Sequence, residues 1–228
     1  MIVAIHQPQF MPWLGYFDKM DQADAFVLLD NVQYKKNEWQ NRNRIRTAQG
    51  KQWLTVPVRF KFPALINQVG INNEENWRNK HWQALRTNYA KAPYWESAHD
   101  DLQAFYQRPY DRLTDLNQAS VTWLKQQMGI ATELYLASEM ELSQEPTQRL
   151  VDICKSVGAK TYLAGADGAK YMQLELFAEA GLEIIFQEYE HPTYPQLFDP
   201  CETHLSALDL VLNCGPASLE TVRRGRRN

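Results

Sequence analysis

The stretch "MIVAIHQPQFMPWLGYF" at residues 1–17 decides how the rest of the chain is read. Its opening run is apolar and β-branched, which is the pattern of a short buried strand. The run stops at His6, Gln7 and Pro8, and Leu14, Phe17 and Met20 then recur near one face of a short helix. A strand that needed only burial would not finish on an imidazole and a carboxamide, with Trp13 and Tyr16 close behind. A second buried strand, "DAFVLLDNV" at 24–32, ends the same way, on Asp30 and Asn31.

Downstream, "KQWLTVPV" at 51–58 alternates with period 2 and reads as a third strand, with Pro57 implying an edge or terminal position. Residues 72–93, 100–109 and 111–129 read as three helices. In the last, Leu113, Leu116, Ser120, Leu124 and Met128 keep helical spacing and Gly129 is the stop. Strands then alternate with helices: "ATELYLAS" (131–138), a helix with Pro146 in its first turn and Gly158 at its end, "KTYLAG" (160–165), a helix over 169–181, and "LEIIFQEYE" (182–190). This order predicts an α/β fold, Rossmann-like, with a mostly parallel sheet and helices on both faces. We read one domain, residues 1–71 and 129–228 forming the α/β core and about 72–128 a helical insertion.

Composition narrows the function. A net charge of −3 argues against nucleic acid as a partner, which calls for an extended basic surface. The one basic run, "RRGRR" at 223–227, reads as a solvated, frayed terminus. Cys154, Cys201 and Cys214 are far apart and outside any Cys-x-x-Cys pattern, so each reads as a buried small apolar group in a reducing compartment. The first apolar run is too short for a signal sequence, and no stretch reaches the roughly 20 apolar residues of a membrane span. The expected location is cytoplasmic. An aromatic content of 12% suits a pocket for sugars or nucleotides as well as a core.

In open α/β sheets ligands sit beyond the carboxyl ends of the strands. His6, Gln7, Asp30 and Asn31 lie at such ends, as does "AGADG" at 164–168, which contributes Gly165 and Asp167. His6 reads either as a hydrogen-bond partner of a loop carbonyl or as a proton-transfer group. Gly15 reads as a helix-entry glycine or as a close approach for phosphate. The run "LDNVQYKKNEWQNRNRI" at 29–45 offers Asn41 and Asn43, two apart and facing one way if extended, and Arg42, suited to a carboxylate or phosphate. Trp77 and His81, four apart, are neighbours on a helix that reads as an amphipathic seam or as a lid over the crevice. Tyr194 and Gln196 belong to a polar-aromatic loop, and Ser206 with Asp209 matches a helix start. Asp30, Asp167 and Asp209 are potential Mg²⁺ ligands by type, but no metal site is assigned. There is no Walker A loop, dinucleotide fingerprint, His-Glu-x-x-His or nucleophile elbow.

The blocks "IHQPQFMPWLGYFDKM", "FVLLDNVQYKKNEWQNRNRI", "WRNKHW", "NYAKAPYW", "YLAGADGAKYM" and "HPTYPQLF" occur in the order found in the WbqC-like family, which the chain resembles over roughly 1–216. The resemblance implies a role in bacterial surface-polysaccharide (O-antigen) assembly, as a transferase passing glycine or an acyl group to an amino sugar. It makes candidates of His6, Gln7, Pro8, Trp13, Gly15, Tyr16, Asp30, Asn41, Arg42, Asn43, His81, Gly165, Tyr171, Tyr194, Gln196 and Asp209 without assigning them roles. Catalysis is expected of His6, Arg42 and His81. Binding is expected of Gln7, Trp13, Gly15, Tyr16, Asp30, Asn31, Asn41, Asn43, Gly165, Asp167, Tyr171, Tyr194 and Gln196, with Trp13 and Tyr194 stacking on a sugar. The expected partners are a small-molecule donor, ATP or a nucleotide-linked compound with Mg²⁺, and a sugar or sugar-nucleotide acceptor. A fainter similarity to HIGH-type nucleotidyltransferases implies adenylyl transfer instead. A third reading is a non-catalytic protein binding a sugar nucleotide or glycan.

Overall fold

A computed structural model describes residues 1–227. In chain order it contains β1 (Ile2–His6), α1 (Leu14–Asp21), β2 (Ala25–Leu28), the hairpin β3 (Arg42–Thr47) and β4 (Gly50–Thr55), and the short pair β5 (Val58–Arg59) and β6 (Gly70–Ile71). Three helices follow, α2 (Trp77–Tyr89), α3 (Trp95–Gln107) and α4 (Leu113–Gln127). Then come β7 (Glu133–Leu136), α5 (Pro146–Ser156), β8 (Thr161–Ala164), α6 (Leu174–Glu179), β9 (Glu183–Phe186), α7 (Ala207–Cys214) and α8 (Ser218–Arg224). Five strands make a parallel sheet in the order β7-β2-β1-β8-β9, which is Rossmann-like.

The apolar first strand is central and, like its neighbours β2 and β8, is covered on both sides. Its alternate residues go to different cores. Val3 and Ile5, with Ala25, Val27 and Tyr162, pack against Leu150, Val151 and Ile153 of α5 and Phe177 of α6. Ala4, with Phe26, Leu28 and Leu163, faces the larger cluster that includes Phe17 of α1, Leu85 of α2, Leu102 of α3, Leu116 of α4 and Leu210 of α7. Each large side chain so buried contributes about 1.5–3 kcal/mol. Helix ends follow local chemistry: α5 starts on Pro146 after the Glu145 cap, and Gly129 and Gly158 take positive φ past the ends of α4 and α5.

The strand at 51–58 does not join the parallel sheet. Its residues 50–55 pair antiparallel with β3, and Val58, beyond Pro57, pairs with Ile71 of β6, because the flanking connections are too short for a parallel crossover. The helices expected over about 72–128 are present at 77–127, and their buried faces share one hydrophobic cluster with α1 and the sheet.

The basic C-terminal run is not frayed. Asp18 of α1 is fully buried and Asp21 nearly so, and buried carboxylates require counter-charge. Arg226 binds Asp18 at 2.9 Å and Asp21 at 2.7 Å, Arg223 binds Asp21 at 2.7 Å, and Arg227 pairs with Glu190. Cys201, moreover, is exposed, so burial accounts for Cys154 but not for all three cysteines. Asp18 also accepts from Gln187 at 2.8 Å and Gln22 at 2.7 Å, which softens the loss of one partner. Arg226→Ala should therefore lower unfolding free energy by about 3 kcal/mol, at the low end for a broken buried pair, as read by denaturant titration.

Candidate functional site

β1 and β8 are neighbours whose connections leave in opposite directions. β1 runs into α1 on one face, and β8 runs through a turn at Gly168–Lys170 into α6 on the other. A crevice must open where they part. A cavity of about 490 Å³ lies there. His6 and Gln7 end β1 within it, Lys19 comes from α1, Lys35 from the loop after β2, Arg149 from α5, and Gly165 and Tyr171 from the segment after β8. Ile5, Leu29, Val32, Leu150 and Tyr162 supply apolar wall. A larger hollow of about 860 Å³ between α3 and α4 draws on no residue of the parallel sheet, and the crevice is the better candidate on topology.

The crevice is cationic. Lys19, Lys35 and Arg149 line it and no carboxylate does. Lys19 is 2% exposed, and its ammonium makes one hydrogen bond, to the carbonyl of Ile5 at 2.8 Å. It has no ion-pair partner among the described residues, so burial lowers its pKa to about 7. His6 Nδ1 lies 3.0 Å from the carbonyl of Gln7, so Nδ1 carries the proton and Nε2 is the acceptor. Burial, then the Lys19 charge, lowers the His6 pKa to about 3. His6 is thus a neutral acceptor and a weak base. Tyr16 packs against it with ring centroids 4.6 Å apart.

Of the residues expected from sequence, His6, Gln7, Gly165 and Tyr171 line the crevice, and the others do not. Trp13 stacks on His191, and its indole lies over Gly15 so closely that a Cβ there would meet it at 2.2 Å. Gly15 is therefore a packing glycine. Tyr16 is buried beside His6, its hydroxyl 3.5 Å from the Gln7 carbonyl. Asp30 accepts from the backbone and hydroxyl of Ser138 at 2.9 and 2.7 Å, and Asn31 donates to Ala137, both tying β2 to the end of β7. Asn41 and Asn43 do face one way, inward: Asn41 holds the Val56 carbonyl and Asn43 that of Met11 at 2.7 Å. Arg42 bonds the Asn37 carbonyl and lies over Trp53.

His81 is buried among Phe10, Trp77 and Tyr106, with Nε2 3.1 Å from the Thr55 carbonyl, and burial lowers its pKa to about 4. It is a core histidine, because the apolar seam of α2 faces inward. Asp167 is exposed and pairs with Lys170. Tyr194 does not face the crevice but donates to Asp209 at 2.8 Å, as Tyr89 does at 2.6 Å, inside the core. Gln196 closes its own loop through both bonds to Glu202.

The sequence profile of the WbqC-like protein family matches residues 7–221. The chain belongs to the WbqC-like protein family. It is also 34% identical, over 229 residues and 99% of each chain, to a Mycobacterium tuberculosis protein named "Uncharacterized protein Rv1507c". No solved structure matches the chain.

In this WbqC-like chain the crevice also holds Lys19 and Arg149, which sequence reasoning passed over, and Lys35, which lies in the polar run at 29–45 but was given no role. Lys19 did leave a signal. It sits beside Asp18 in an eight-residue helix joining two buried strands, where all but one residue is buried and a charge needs a reason. With a folded pKa below the unfolded value, Lys19 makes stability rise as pH climbs from about 7 toward 10.5. Lys19→Met should therefore be more stable than wild type at pH 7, by on the order of 4 kcal/mol, and the difference should shrink toward pH 10. Urea unfolding of both proteins across that range checks it.

Proposed function

We propose that this WbqC-like protein is a transferase that passes glycine or another acyl group to the amine of an amino sugar in bacterial surface-polysaccharide assembly. The observation that carries the reading is a buried, unpaired, near-neutral Lys19 in an anion-friendly crevice at the carboxyl end of the sheet. Acyl transfer to an amine needs a base matched to the working pH and a grip on an anionic donor or acceptor. The sugar nitrogen attacks the acyl carbon, forming the C–N bond as the donor's leaving-group bond breaks. The nitrogen's proton passes to the Lys19 amine. Arg149 and Lys35 hold phosphate or carboxylate, and His6 Nε2 accepts a hydrogen bond from the acceptor and orients it.

Two observations weigh against the alternatives. Adenylyl transfer of the HIGH type needs an open helix start after β1, whereas Trp13 covers Gly15 there. A purely binding site for an anion gains from a fully charged lysine and has no use for one held near pH 7.

The test is an assay of amino-sugar nucleotides with activated glycyl and acyl donors, and with glycine, ATP and Mg²⁺, read by mass spectrometry as N-acylated sugar. The rate should rise with pH through about 7 and then level, because the unprotonated Lys19 is the active form. Lys19→Met should lose about 100-fold or more. Saturable binding with no product from any donor would support the binding reading, and product formed at the wild-type rate by Lys19→Met would move the base elsewhere.

A further inference from the structure

Two guanidinium groups converge on one indole on the outer face of the β3–β4 hairpin. Strand alternation along 42–45 turns Asn43 and Ile45 into the core and Arg42 and Arg44 outward, and Trp53 stands opposite Arg44 in register. Arg42 Cζ lies 4.3 Å and Arg44 Cζ 5.1 Å from the Trp53 ring. Trp39 flanks the group, 5.2 Å from Arg44 and 5.5 Å from Trp53. Arg42 gives one hydrogen bond, to the Asn37 carbonyl. The Arg44 guanidinium has no hydrogen bond or ion pair among the described residues, and the nearby Glu202 is engaged by Lys51 at 2.9 Å.

Like charges gathered at one ring repel, and stacking at an exposed site returns only about 0.5–1 kcal/mol per pair. What the stacking does supply is two planar donor sets held in place with free N–H groups, the arrangement that binds phosphate in parallel bonds. Trp53 remains 41% exposed with two guanidinium groups stacked on it. An extended polyanion would want a longer basic track than this single indole and two arginines.

We infer that this hairpin face is a second ligand site, built from residues outside the crevice, which takes a nucleoside diphosphate. Arg42 and Arg44 hold the diphosphate, and Trp53 stacks on the base. The site stands whether or not the crevice transfers acyl groups.

Titration calorimetry with UDP and ADP tests it, with pyrophosphate and uridine as separate arms. Saturable nucleotide binding is expected, weakened about tenfold or more by Arg44→Gln and by Trp53→Ala and unchanged in Lys19→Met. Arg42→Gln serves if Trp53→Ala does not fold, since the arginine is at the surface. Three results would overturn the proposal: no heat from either nucleotide at millimolar concentration, pyrophosphate binding as tightly as UDP, or binding abolished by Lys19→Met and kept by Arg44→Gln.

Discussion

The structure depends on how one short helix carries two adjacent opposite charges with almost no solvent-facing surface. Asp18 and Lys19 lie side by side on α1, both buried, and they do not pair with each other. Asp18 turns toward the C-terminal segment and is answered by Arg226 and Gln187. Lys19 turns toward the sheet, where it meets the carbonyl of Ile5 and the ring of Tyr162 but no carboxylate among the described residues. One charge is satisfied and builds architecture, whereas the other is left short of partners in the crevice. The same burial that makes β1 a good central strand therefore lowers the pKa of the amine beside its end.

The loop between β1 and α1 is held by side chains from far along the chain. Asn117 of α4 donates to the carbonyls of Pro8 and Gln40, Asn43 of β3 to that of Met11, and Gln40 to the Gln7 side chain at 2.7 Å. Gln40 in turn accepts from the Lys35 backbone. Carboxamides suit this work because each can satisfy buried backbone groups without adding charge. The hairpin and the helical stretch thus act as supports for the His6–Gln7 end of the crevice, which is why so many asparagines surround a site they do not line.

The sheet was legible from sequence because its strands are apolar runs punctuated by polar ends and by Gly129 and Gly158. The strand at 51–58 misled because period-2 alternation marks a half-buried strand without naming its partner, and the partner was β3 a few residues away. For the site, position at a strand end was informative: His6, Gln7 and Gly165 reached the crevice on that ground alone. Residue type was less so. His81, Tyr194 and Asp209 carry functional groups, but tertiary contacts fixed them in structural tasks that sequence spacing does not reveal. Lys19 and Arg149 come together only through helix packing on the two faces of the sheet, a relation between segments 130 residues apart in number and invisible to local pattern.

The core network around Asp209 has a consequence for acid tolerance. Burial, first of all, raises this carboxyl's pKa from the ordinary 3.8 to about 6, despite the phenol donors Tyr89 and Tyr194. Between those two values the folded chain keeps a proton that the unfolded chain has released. Its contribution to stability is therefore whole below about pH 4 and declines as the medium is made more alkaline through 6. Where a carboxylate such as Asp21, held low by Arg223 and Arg226, ties the fold to its ionised form, Asp209 leans the opposite way. Mild acidification through about 6 therefore tightens the heart of the molecule, and the clamp at its C-terminal end loosens only in stronger acid, below the ordinary carboxylate pKa.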